Sequence, residues 1–114
     1  MLAWPAASQL TILRDDPRLR LTLRPGMNIA WLAFNIAKPP LDNPEVRHAL
    51  ALAINNQRLM QSIYYGTAET AASMLPRASW AYDNDAKITE YNPQEARARL
   101  KALGLENLTL KLWV

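Results

Sequence analysis

The chain reads as a mixed α/β domain, and three features of its sequence say so. Residues 18–24 and 107–114 alternate apolar and polar side chains, the period of a half-buried strand. Two Asn-Pro dipeptides, at 43–44 and 92–93, each open a run of apolar residues at helical spacing. The runs follow one another as helix, strand, strand, two helices, loop, helix and strand, which interleaves both types.

Residues 5–16 form the first expected helix. Pro5 suits an opening helical position, Leu10 and Leu13 share a face, and Pro17 stops it. Residues 18–24 follow as a strand, with leucines on one face and Arg18, Arg20, Thr22 and Arg24 on the other. Pro25-Gly26 signals a turn. Residues 27–35 are apolar on both faces, which suits a central, buried strand. Lys38-Pro39-Pro40-Leu41 is a non-helical connection, because each proline fixes φ and disfavours α conformation in the residue before it.

Asp42-Asn43-Pro44-Glu45 is the strongest local signal: a capping residue, proline in the first turn, then an acid near the helix N-terminus. Val46, Leu50, Ala53 and Ile54 carry the apolar face. Asn55-Asn56 caps a further helix over 57–65, which Gly66 ends. Residues 67–85 have no period and are expected as a loop pinned by Trp80 and Tyr82. Asn92-Pro93-Gln94-Glu95 repeats the capping device, with Ala96, Leu100 and Leu103 inward and Gly104 as the left-handed stop. The chain stops inside the last alternating run, which is the expectation for a piece cut from a longer protein.

Composition narrows the chemistry. Half the residues are hydrophobic and the net charge is only +3, so the chain has the makings of a folded domain rather than a disordered one. The absence of cysteine removes disulfides and thiolate metal sites, and the single histidine, His48, removes any multi-histidine site. No apolar run approaches the ~20 residues of a membrane-spanning helix. The N-terminal residues lack a basic segment and Pro5 interrupts their apolar stretch, so the chain as it stands carries no export signal.

No catalytic constellation is legible: Ser62 and Ser73 lie in no nucleophile context, and no glycine-rich loop offers amides to a phosphate. Asp83 and Asp85 flank Asn84 without the glycine and the downstream glutamate of a calcium loop. His48 reads as a surface histidine. The arginines of 18–24 and the helices around 44–65 offer one alternative, a small basic nucleic-acid-binding domain. Acidic residues interleave the basic ones and the second helix supplies only Arg58, which argues against it. Tryptophans beside turns are core by default, but Trp4, Trp31 and Phe34 stand where two segments would meet and are the candidate ligand contacts.

The longest motif runs through residues 25–35 and 38–55: PGMNIAWLAFN, then KPPLDNPEVRHALALAIN. It resembles the extracytoplasmic solute-binding proteins of peptide ABC transporters, family 5. In these a strand ending in Asn leads through Pro-Pro-hydrophobic-Asp into V-R-x-A-L-x-x-A-I. Residues 58–66, 71–76 and 91–104 keep the family's order, so the resemblance spans nearly the whole chain.

The resemblance implies part of a two-lobed type II (cluster C) periplasmic-binding-protein fold. Residues 1–24 would be the tail of the first lobe, 25–37 a hinge-region strand, and 38–114 about half of the second lobe. It implies capture of peptides, antimicrobial peptides among them, in the periplasm by a monomeric full-length protein. Delivery would be to the permease subunits of an inner-membrane ABC transporter, with no cofactor, no metal, no nucleic acid and no enzymatic step. Trp4, Trp31 and Phe34 would lie at the cleft or hinge. The residues that anchor peptide termini would mostly lie beyond Val114. Arg47 of the motif is expected to tie its helix to nearby carbonyls or a carboxylate, a structural role.

Overall fold

The helix starts read from the sequence are where backbone capping is strongest. In the computed structural model, which describes residues 5–113, a 3-10 turn over Ala7–Gln9 leads into α1, Leu10–Asp15. The other helices are α2, Pro44–Ala53, α3, Asn56–Tyr64, and α4, Pro93–Ala102. Asn43 and Asn92 are the N-caps of α2 and α4. Their side-chain oxygens accept from the amides of Glu45 (2.9 Å) and Glu95 (3.0 Å), with proline opening each helix behind them. Pro5 lies before the first helical residue, not in it.

Helix ends follow the glycines. Gly104, at φ +71, closes α4. Its amide donates to the Lys101 carbonyl and that of Leu105 to the Leu100 carbonyl, both at 2.9 Å, the bond pair of a Schellman motif. At the end of α3, Tyr65 joins Gly66 in the left-handed region, and the Thr67 hydroxyl donates to the Tyr64 carbonyl. Between 35 and 43 the chain makes successive turns, with a cis peptide bond at Pro39-Pro40.

The three expected strands, 18–24, 27–35 and 107–114, are corrected by the structure as far as residue 113, Val114 lying outside the described residues. Among the described residues none pairs in a ladder; these segments are irregular, without strand partners. A strand needs a neighbour about 4.8 Å away to take its backbone N–H and C=O groups, so alternation without a partner leaves a solvated segment. The side chains agree: Met27, Trp31 and Leu32, expected in a buried strand, are exposed, as are Leu19, Leu23, Leu110, Leu112 and Trp113.

The chain divides into two compact units. The first takes 1–31 and 56–88, the second 32–55 and 89–114. In the first, the 3-10 turn packs against α1 and α3, and Leu10 is its buried side chain. Its loop over 67–85 is not pinned by Trp80, whose side chain is 98% exposed; Tyr82 is half-buried and carries the Arg77 guanidinium over its ring at 5.3 Å. In the second unit α2 packs on α4 through Val46, Ala49, Leu52 and Ala96. Leu50 is only half-buried and Ala53 exposed, so the buried stripe of α2 is turned from the expected face by the partner helix.

Candidate functional site

Trp31 and Phe34 lie on the extended run after the Pro25-Gly26 turn, and Trp4 lies outside the described residues. Trp31 is 63% exposed and is the last residue of the first unit's N-terminal segment; Phe34 is half-buried and belongs to the second unit. An exposed indole offers a large apolar face and one N–H donor to a ligand.

The first unit also holds an open hollow of about 480 Å³, which sequence reasoning missed. Arg24, Asn28, Thr67, Thr70, Arg77 and Tyr82 give it polar lining. Arg77 pairs there with Glu69 at 3.5 Å while it covers the Tyr82 ring. Leu23, Ile29, Leu75 and Pro76 give the rest of the lining an apolar character. Its residues come from segments some 40 positions apart, so no local motif announces it. Asp83, weighed for calcium, accepts from the Asp85 amide at 2.9 Å as a turn residue. No group of three or more His, Cys, Asp and Glu among the described residues is arranged to hold a metal ion.

In the second unit the charged side chains organise the motif. Arg47 donates through Nη1 to the Leu41 and Asp42 carbonyls, both at 2.8 Å, closing the turn before α2 onto the helix. That is the structural role the sequence suggested. Across the helix pair, Arg99 Nε donates to Glu95 Oε1 at 2.8 Å, and its Nη1 reaches Glu45 Oε2 at 3.2 Å and His48 Nδ1 at 3.3 Å. The hydrogen bond and charge of Glu95, with Glu45 beside it, raise the guanidinium's already high pKa further. Within their own units, α2 packs on α4 and α3 packs on the 3-10 turn.

The family model for bacterial extracellular solute-binding proteins, family 5 middle, matches residues 1–112. The chain belongs to this family. The chain is 88% identical over all 114 residues to the peptide transport periplasmic protein SapA of Salmonella typhimurium, of which it spans 21%. Among solved structures, the periplasmic binding protein DppA from Helicobacter pylori, in complex with the peptide STSA, superposes with a TM-score of 0.81. The identity is 30%, over 91% of this chain and 20% of that one. The dipeptide-binding protein of Pseudoalteromonas sp. SM9913, in complex with Met-Leu, gives a TM-score of 0.76 and 37% identity, over 90% of this chain and 20% of that one. The described backbone thus matches part of the periplasmic-binding-protein fold, and the chain spans about a fifth of the relatives it matches.

Proposed function

We propose that this chain is part of a periplasmic binding protein that captures peptides and hands them to an ABC transporter permease. The observation that carries the reading is the 88% identity, along the entire chain, to a protein named for peptide transport. Two solved neighbours with bound peptides support it. In this reading residues 1–24 are the tail of the first lobe, 25–37 the hinge-region strand and 38–114 part of the second lobe. These lobes divide a two-lobed protein, whereas the compact units described above divide this chain alone.

The mechanism is capture, closure and release without a covalent step, and the full-length protein acts as a monomer. Peptide backbone is held by main-chain hydrogen bonds, with ordered water filling tolerant side-chain pockets. Trp4, Trp31 and Phe34 are the proposed cleft or hinge contacts: aromatic faces cover the apolar parts of varied peptides without fixing one sequence. Antimicrobial peptides belong to the proposed ligand range. The extended segments gain strand partners from the rest of the two-lobed protein.

Native mass spectrometry of the product carrying this chain, released from the periplasm by osmotic shock, tests the reading. A protein several times larger than 12.9 kDa, with added masses that tandem spectra resolve as peptides, is the expected result. A cytoplasmic 12.9-kDa species free of peptide would overturn it.

A further inference from the structure

The second unit contains a polar cluster that the capture mechanism does not use. Arg99, on α4, reaches over to α2 and meets two acceptors one helical turn apart, Glu45 and His48. A guanidinium has five N–H donors and no acceptor, so at 3.3 Å from Arg99 Nη1 the His48 Nδ1 must supply a lone pair. The proton of the neutral ring is then on Nε2. Protonation of the ring converts Nδ1 into a donor, removes the contact and sets a second cation against Arg99.

From this geometry we propose that His48 and Arg99 form a proton-sensitive clasp between α2 and α4, closed while His48 is neutral and loosened when it is protonated. The remaining charged side chains of the two helices define how far it opens. Glu45 and Glu95 both hold Arg99, so they keep part of the clasp. Arg47 is turned to the Leu41 and Asp42 carbonyls, Lys101 is paired with Glu106, and Arg97 is exposed. The clasp therefore loosens without parting. A backbone gauge of the effect lies nearby: the Asn92 amide, at the start of α4, donates to the Leu52 carbonyl of α2 at 2.8 Å.

Two measurements on the full-length product that carries this chain test the clasp. With ¹⁵N-labelled histidine, the His48 resonances are identified by their loss in His48→Gln. At pH 7.5 they should show an unprotonated Nδ1 and a protonated Nε2, and Arg99→Gln should convert them to a tautomer mixture. Hydrogen-exchange protection of the Asn92 amide, corrected for the intrinsic rate, should fall about two- to five-fold between pH 7.5 and 5.5, the scale of one exposed charge-assisted hydrogen bond. The same protection should stay constant in His48→Gln, whose amide cannot gain a proton in that range. A protonated Nδ1 at pH 7.5, a tautomer indifferent to Arg99→Gln, or equal loss of protection in His48→Gln would each overturn the proposal.

Discussion

The amide of Asn92 donates to the carbonyl of Leu52 across 2.8 Å, so the residue that caps α4 also satisfies the open C-terminal end of α2. The last carbonyls of a helix have no partner within it, and a neighbouring element must supply one. Asn92 spends its side chain on its own helix and its backbone on the other, and thereby fixes where α4 begins along α2.

Replacing Asn92 by Ala should separate these two roles. The bond from the Glu95 amide to Asn92 Oδ1 is lost while the backbone bond to Leu52 survives. We expect a loss of about 1 kcal/mol, the usual cost of removing an Asn cap. Asn92→Pro, which deletes both bonds, should cost more. Urea unfolding of the three proteins checks the order; equal stabilities for wild type and Asn92→Ala would reject the cap.

Val46 is the largest fully buried side chain among the described residues, at 0% exposure between α2 and α4. Val46→Ala removes two methyl groups and should cost about 2 kcal/mol, from lost transfer energy plus an incompletely collapsed cavity. Leu50→Ala deletes more carbon from a half-buried position and should cost less per methylene removed. A larger penalty per methylene at Leu50, measured by the same unfolding curves, would put the core on the other face of α2.

Gly104 and Gly26 offer a contrast in backbone strain. A Cβ on Gly104 meets nothing within 4 Å, yet φ there is +71, so Gly104→Ala should lose about 1 kcal/mol from conformation alone. Gly26→Ala meets only the Asn28 amide nitrogen at 4.0 Å and has no positive φ, so it should be nearly neutral. Thermal melts of the pair decide it, and a near-neutral Gly104→Ala would remove strain as the reason for that glycine.

The Asp16 carboxylate accepts from Arg18 three times: from the backbone amide at 2.9 Å, from Nε at 3.0 Å and from Nη2 at 2.8 Å. The Arg18 guanidinium, helped by that amide, holds the carboxyl below its ordinary value of 3.8. A carboxyl depressed in the folded state adds stability above its unfolded pKa. That contribution declines once pH drops below about 3.8 and is gone below the folded value. A ¹³C carboxyl titration should therefore give Asp16 a midpoint under 3.8, and Arg18→Gln should move it upward. An unmoved midpoint would mean the pair does not persist in solution.

The local signals in this sequence were sufficient for α2 and α4, but not for the first helix, which begins later than Pro5 suggests. Asn43-Pro44 and Asn92-Pro93 announce α2 and α4 because a cap, a fixed φ and a following acid act within four residues, and Gly66 and Gly104 mark helix ends for the same local reason. The motif from Pro25 to Asn55 carried the family in the same way, as chain order alone. Tertiary structure decided what depends on a second segment. It chose Ala49 and Leu52 over Leu50 and Ala53 as the buried stripe, because the position of α4 selects which side of α2 is covered. It brought Arg99 to Glu45 and His48 across more than 50 residues, and Arg24 to Arg77 around one hollow. It also left Trp31 exposed and the alternating leucines without ladders. Period-two patterning marks which face a strand would bury, but only a neighbouring strand can take its hydrogen bonds.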